Sequence, residues 1–248
     1  MCLIVLANRA SDRFPFVLAA NRDEDYGRPS IAARFWPDDP NVLGGRDARE
    51  GGSWLALTRS GRIAAVTNVR GGEKAGARSR GLLVREFVEA TAEAEAFALA
   101  IDGALYAGFH LIAGTIGGRF VHASNAGTGV RAWPDGVHGI SNGPPGTLWP
   151  KVELATAHVQ ELVESDTHAE SLASDLLSFL GTPGDAARDH GATLRDELEG
   201  EVFVTSDRYG TRSSTVIIAD DDEVRFYEQN YVTGGARQGS VSEFVIRS

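Results

Sequence analysis

Short apolar runs, joined in pairs by tight polar turns, constrain the fold of this chain more than any other feature. CLIVLA and FPFVLAANRDE flank the turn ASDR, WLAL and IAAVTN flank RSG, and IIAD and EVRFY meet at DDDE. Apolar runs of this length around such turns are typical of β-hairpins. A chain built from hairpins forms antiparallel sheets, because strands joined by a short turn run in opposite directions.

Three longer segments carry apolar residues at helical spacing. They are LLVREFVEATAEAEAFALAI, WPKVELATAHVQELVES and HAESLASDLLSFL, and Pro150 stands near the start of the second, where a helix tolerates proline. The predicted order is strands, one helix, strands, two helices and strands again, the last group beginning with EVFVTS. This order favours an α+β class, with helices covering antiparallel sheets, over a doubly wound parallel sheet.

The segment over 28–53 interrupts the hairpin pattern, because it is rich in proline and glycine and predicts a long irregular loop. Long loops inside a compact domain are often functional. The sequence contains no internal repeat, linker or low-complexity tract, so residues 1–248 are predicted to form a single domain.

Composition excludes several classes of function. The 248 residues are 42% hydrophobic, enough for a sizeable core, and the net charge of −10 argues against a general nucleic-acid binder. No run approaches the roughly 20 apolar residues of a membrane span, and MCLIVLANRA lacks the basic start of a secretory signal. With one cysteine, no disulfide forms within the chain, and a reducing, cytoplasmic location is predicted. Lysine occurs only at Lys74 and Lys151, which indicates a high-GC or salt-adapted background rather than a function.

The single cysteine, Cys2, follows the initiator Met1 directly. One interpretation is a small apolar residue of a buried strand, since cysteine is among the most buried residue types. The other is a nucleophile that carries its own base. Once Met1 is removed, the α-amine, with a pKa near ~8, can take the proton of a thiol with a pKa near ~8.5.

Four polar residues, Asn21, Arg22, Asp23 and Glu24, end the second predicted strand. In a hairpin the end of the second strand lies beside the start of the first, which brings this group near Cys2. There a carboxylate can orient an ammonium group and an arginine can lower the pKa of the thiol. The alternative is a charged, solvated turn.

Two further strands end in asparagine before a glycine-rich turn, at Asn68 in VTNVRGG and Asn142 in ISNGPPG. Each side-chain N–H is a candidate donor to an oxyanion. The alternative is that each asparagine serves only the turn, because asparagine and glycine are common where a strand ends. Arg212 begins another strand and is either a partner of the site or a surface arginine. The six histidines show no metal-ligand spacing, and no G-x-S-x-G motif occurs, so neither a metal site nor a serine hydrolase is predicted.

Several strings together resemble one family. MCLIVLA, AANRDE, LGGRD, GGSWLALTRSGRIAAVTNVRG, SNGP and TRSSTVI, spread from residue 1 to about residue 218, are similar to the NRDE family, also called the transport and Golgi organisation 2 family. The resemblance implies the N-terminal nucleophile hydrolase fold, a four-layer αββα arrangement with two stacked, mainly antiparallel sheets. It also implies a distant relationship to cysteine-type amidases such as penicillin V acylase and bile salt hydrolase.

The resemblance also implies roles for individual residues. Cys2 matches the amidase nucleophile exposed by loss of Met1, and Asp23 matches the aspartate that binds the nucleophile's amine. Asn68 and Asn142 match oxyanion-hole or substrate positions, and Arg212 matches an arginine near the nucleophile. The substrate-binding residues predicted from the same strings are Asn21, Arg22, Arg46 and Trp54.

One position departs from the amidase pattern. The amidases carry an arginine three residues before the aspartate, where this chain has Ala20. Arg22 is the neighbour of Asp23, so its side chain projects from the opposite face of the strand to that of Asp23. The activating arginine is therefore either absent or supplied by Arg46 or Arg212.

Three functions therefore stay open. The motifs favour a hydrolase of a linear amide (C–N) or acyl bond that uses no cofactor or metal. The second is a carrier of haem, acyl-CoA or lipid that uses the same cleft, because the family resemblance also points to lipid or acyl-CoA metabolism and haem trafficking. The third is a structural or interaction protein, for which the sequence offers no heptad, repeat or tail. The predicted partner is thus a small-molecule amide, acyl compound or haem.

Overall fold

The computed structural model describes residues 2–70, 78–165, 167–183 and 199–247. The chain divides into two compact units, each built around one sheet. The first comprises Met1–Gly27, Asp135–Ser141 and Leu148–Ser248, and the second comprises Arg28–Pro134 and Asn142–Thr147. The single domain over 1–248 stays a prediction.

Regular elements of the described residues follow the predicted order closely. The strands are β1 (Cys2–Asn8), β2 (Phe16–Asp25), β3 (Ser30–Phe35), β4 (Val42–Asp47), β5 (Leu55–Thr58), β6 (Arg62–Asn68), β7 (Phe109–Thr115), β8 (Phe120–Ser124), β9 (Gly129–Ala132), β10 (Gly136–Ile140), β11 (Tyr209–Ala219), β12 (Glu223–Tyr231) and β13 (Arg237–Arg247). The α-helices are α1 (Gly81–Glu89), α2 (Ala94–Leu99), α3 (Pro150–Glu164) and α4 (Ala169–Leu180).

The first unit contains a six-stranded sheet in the order β10-β1-β2-β11-β12-β13, with every neighbouring pair antiparallel. Side chains alternate between the faces of a strand, so Leu3 and Val5 project from the same face of β1 as Ala7. That face packs against α3 and α4. The buried residues of α3 recur every three or four positions, as a helix lying on a sheet requires.

The second unit contains a seven-stranded antiparallel meander, in which β3 to β9 pair in chain order. Helices α1 and α2 pack on it, and their apolar side chains join those of the sheet in one core. The aromatic side chains of this core are Trp36, Phe87, Tyr106 and Phe109.

The long helix predicted before β7 is wrong, because the chain forms two helices there instead. Ala90 and Glu93 are extended, with ψ of 158° and 151°, and they separate α1 from α2. The turn brings the rings of Phe87 and Phe97 edge to face, with centroids 5.2 Å apart. Neither proline nor glycine marks the break, so tertiary packing of the two rings, rather than local sequence, accounts for it.

The loop predicted over 28–53 is also wrong, because β3 and β4 lie within it. Two glycines in β4 suggested a turn, whereas the strand needs them for close packing. A Cβ atom on Gly44 would lie 2.6 Å from the carbonyl oxygen of Leu55. The strand predicted at EVFVTS is absent from the regular elements described, and Phe203 and Thr205 form only isolated bridges.

The α+β class with antiparallel sheets is confirmed, since both sheets are antiparallel and each carries helices packed against it. Among the helices of the described residues, none combines the length and apolar character needed to cross a membrane.

Replacing Gly44 with alanine tests the close packing of β4. The added methyl group meets the backbone of β5, which cannot move aside as a flexible side chain can. We expect a loss of about 2 kcal/mol or more in the free energy of unfolding, measured in urea. The matched control is Gly200→Ala, where nothing lies within 4 Å of the added atom. Equal midpoints for the two variants would refute this role of Gly44.

Candidate active site

Cys2 occupies the first position of β1 and lies directly opposite Arg22 of β2. Residues opposite each other in an antiparallel pair project from the same face, so the thiol and the guanidinium group are neighbours. The half-buried Cys2 is also held through its backbone, because the Ser141 hydroxyl donates to its carbonyl oxygen at 2.7 Å. The prediction that the end of the second strand lies beside Cys2 is confirmed.

The charges around Cys2 act in opposite directions on its thiol. Burial raises the pKa of the Cys2 thiol above its ordinary value, and the negative charge of Asp23 raises it further. The positive charge of the N-terminal ammonium group lowers that pKa most, followed by the backbone N–H of Asp23, which hydrogen-bonds to the sulfur, and by the positive charge of Arg22. The raising effects dominate, so the thiol is a weak nucleophile until its surroundings change.

The sequence left open which arginine serves the site. Arg22 is the arginine opposite Cys2; its side chain is 6% exposed and lies 3.6 Å from the carboxylate of Glu24. Arg212 instead holds the end of β2, because its Nη1 donates to the carbonyl oxygens of Asp25 and Tyr26 at 3.0 and 3.1 Å. The geometry therefore favours Arg22 over Arg212 as the cation that acts on the thiol.

The side chain of Asp23 projects from the other face of β2 than that of Arg22, namely the face covered by helices. Thr211 of β11, its partner in register, donates from Oγ1 to the carboxylate Oδ1 at 2.8 Å. The other oxygen, Oδ2, lies 3.9 Å from Nζ of Lys151, and both side chains are completely buried. Asp23 thus links the strand end at Cys2 to the first turn of α3.

Lys151 is the residue that sequence reasoning missed. The spacing of residues in α3 could have identified it. Lys151 stands one and two helical turns before Ala155 and Val159, on the buried stripe of the helix. A lysine on such a stripe needs a buried anion, and Asp23 is that anion. The low lysine content by itself indicates only a high-GC or salt-adapted background, and does not distinguish Lys151 from Lys74.

The side chain of Asn21 is held by hydrogen bonds within the first unit. Its Nδ2 donates to the carbonyl oxygens of Leu180 and Val202, each at 2.8 Å, and its Oδ1 accepts from Ser214 at 2.6 Å. These bonds use both N–H groups and one acceptor site of a residue only 1% exposed. They hold Asn21 in place, and its binding of substrate stays a prediction.

The two asparagines predicted for the oxyanion lie together in the second unit. The Nδ2 of Asn142 donates to the carbonyl oxygen of Asn68 at 2.7 Å, and the backbone N–H of Arg70 donates to the carbonyl oxygen of Asn142. Asn142 is 1% exposed, whereas Asn68 is exposed. Their role as oxyanion donors stays a prediction.

Two buried histidines support the turn after Asn142. Arg131, which can only donate, bonds from Nε to Nδ1 of His122 at 3.2 Å, so His122 donates from Nε2 to Nδ1 of His110 at 3.0 Å. His110 then donates from Nε2 to the carbonyl oxygen of Gly143 at 2.9 Å. This chain of bonds requires both rings to be neutral. Burial lowers the pKa of both histidines, that of His122 to about 3.

Arg46 and Trp54, both predicted to bind substrate, make packing contacts in the second unit. The guanidinium of Arg46 lies 4.5 Å from the centre of the Trp36 ring and pairs with Asp38. The Trp54 ring covers Gly45, where a Cβ atom would lie 2.2 Å from it. Binding of substrate by either residue stays a prediction.

Comparison by sequence identifies one family. Residues 1–233 match the family described as Transport and Golgi organisation 2. The Bos taurus protein "Transport and Golgi organization protein 2 homolog" is 33% identical over 243 residues, covering 89% of this chain and 88% of that protein. The Homo sapiens homolog is 32% identical, with the same coverage.

Comparison of structures identifies the fold. The Caenorhabditis elegans N-acylethanolamine-hydrolyzing acid amidase (NAAA) ortholog superposes with a TM-score of 0.53. The match covers 88% of this chain and 92% of the amidase at 13% sequence identity. The prediction of an N-terminal nucleophile hydrolase fold is thereby confirmed.

The neutral histidine chain predicts acid sensitivity of the protein. The unfolded state binds protons at these histidines below pH ~6.5, whereas folded His122 stays neutral down to about pH 3. Stability is therefore unaffected by His122 above pH ~6.5 and falls as the pH decreases through this window. One such histidine contributes a slope approaching about 1.4 kcal/mol per pH unit.

Urea unfolding at pH 7.0, 6.0 and 5.0 measures this slope. We expect a shallower dependence for His122→Gln than for the wild type, while the exposed His168→Gln control keeps the wild-type slope. Identical slopes for all three proteins would contradict the neutral chain.

Proposed function

Because this chain belongs to the Transport and Golgi organisation 2 family and has the fold of a solved amidase, we propose that it is a cysteine N-terminal nucleophile hydrolase of a linear amide (C–N) or acyl bond. One observation carries the proposal. The only cysteine of the sequence lies at the start of β1, with Arg22 opposite it and the backbone N–H of Asp23 on its sulfur.

Removal of Met1 is the first requirement. It leaves the α-amine of Cys2 at the strand end, level with Asp23, which follows Arg22 on β2. The amine takes the thiol proton, either directly or through a water molecule. The thiolate and the ammonium group that form are each stabilised by a neighbour of opposite charge, Arg22 and Asp23 respectively.

The reaction then follows acyl transfer to sulfur. The thiolate attacks the substrate carbonyl carbon, forming a C–S bond and an oxyanion. The C–N bond breaks as the ammonium group of Cys2 returns a proton to the leaving amine, which leaves a thioester on Cys2. Water attacks the thioester, its proton passes to the α-amine, and release of the acid regenerates the thiol.

The likeness to the solved amidase suggests the type of bond that is cleaved, but not the substrate itself. That amidase is named for the hydrolysis of N-acylethanolamines, which contain an amide bond. We therefore propose an N-acyl compound with an apolar acyl group as the first class to examine. Asn68 and Asn142 are proposed as donors to the oxyanion on the resemblance of their strings.

Substitution of the nucleophile tests the proposal. With a panel of N-acylethanolamines, N-acyl amino acids and acyl thioesters, we expect Cys2→Ala to lower kcat/KM by about three orders of magnitude or more. Hydroxylamine should trap the acyl group of the wild type as a hydroxamate. The control is Ser141→Ala, which removes the bond to the Cys2 carbonyl but leaves the thiol in place, and should cost far less. Undiminished turnover in Cys2→Ala would overturn the proposal.

A carrier of acyl-CoA, lipid or haem is the second candidate. Two observations favour it: the relatives are named for transport, and burial leaves the Cys2 thiol with a raised pKa. Titration with haem distinguishes the two functions. A saturable shift of the Soret band that is lost in Cys2→Ala, without turnover of any N-acyl compound, would favour the carrier, and absence of saturable binding removes haem from consideration.

A further inference from the structure

Lys151 has the least usual environment of any charged residue described. Its side chain is completely buried, in the first turn of α3, with Nζ 5.7 Å from the centre of the Trp149 ring. The sequence contains only two lysines among its 24 Lys and Arg residues, and the rest are arginine. Burying an ammonium group is costly unless an anion and hydrogen bonds compensate it.

The compensating anion is Asp23, a residue at the candidate active site. Its Oδ2 lies 3.9 Å from Nζ of Lys151, a distance for an electrostatic pair rather than a direct hydrogen bond. Thr211 donates to Oδ1, and the Tyr209 hydroxyl donates to the backbone carbonyl oxygen of Asp23. Asp23 is thus fixed in position on three sides.

The same carboxylate acts on Cys2, because its negative charge raises the pKa of that thiol. Other charged and titratable groups near the strand end are the N-terminal ammonium group, whose charge lowers the pKa of the thiol, Arg22, which forms an ion pair with Glu24, and Tyr26, whose pKa is raised in part by the charge of Asp23. On the helix-covered face, Lys151 of α3 pairs with the Asp23 side chain. An apolar pair of similar volume would serve packing as well, so the charges call for another role.

We propose that Lys151 is a positioning residue, which holds the Asp23 carboxylate in place and offsets its charge, so that Asp23 can hold the Cys2 amine without suppressing the thiolate. This inference rests on the proposed function, since it gives the pair its purpose.

The test uses the thiol itself and needs no substrate. The rate of Cys2 alkylation by iodoacetamide is measured from pH 6 to 10, and the signal is unambiguous because the chain has one cysteine. Lys151→Met leaves the Asp23 charge uncompensated, so we expect the midpoint to rise by about one pH unit, a tenfold lower rate at pH 7.5. Asp23→Asn should shift the midpoint the opposite way, and the double variant should return toward the wild type.

The control is Arg247→Met, which removes an 81% exposed cation from the same unit and should leave the profile unchanged. Equal midpoints in Lys151→Met and the wild type, or shifts of the same sign in both single variants, would overturn the proposal. If Lys151→Met does not fold, urea unfolding of the double variant decides: recovery of folding by adding Asp23→Asn supports the pair, and no recovery refutes it. A null effect of Cys2→Ala on turnover would instead refute the hydrolase function and leave this result intact.

Discussion

The register of β1 against β2 is the constraint on which the candidate site depends. It sets Cys2 opposite Arg22, and places the thiol and the guanidinium on one face of the sheet. A slip of one residue would turn the thiol toward the helix-covered face, where Leu3 and Val5 now lie. The apolar alternation of β1 therefore fixes the position of the thiol as well as the core.

Opposite faces of β2 provide different electrostatic surroundings. On one face Arg22 lowers the pKa of the thiol, and on the other Asp23 is buried with Lys151. The strand end joins the two faces through the backbone N–H of Asp23. In a plain apolar strand, burial alone would change the pKa of a cysteine. Here the charge of Arg22 and the backbone N–H of Asp23 also act on the pKa of the Cys2 thiol.

The sequence predicted local pairings well and long-range ones poorly. The first hairpin, and with it the proximity of Cys2 to the end of β2, followed from alternation and a short turn. The contact of Lys151 with Asp23 did not, because it depends on how α3 packs against the sheet. Glycines also misled: Gly44 marks close contact between β4 and β5 rather than a loop.

The most direct test of the central claim is the intact mass of the chain purified from cells, before and after mixing with an N-acylethanolamine. The account predicts a chain that lacks Met1 and gains one acyl group, located on the N-terminal peptide that begins with Cys2. A chain that hydrolyses the substrate while retaining Met1, or that carries the acyl group on another peptide, would contradict it.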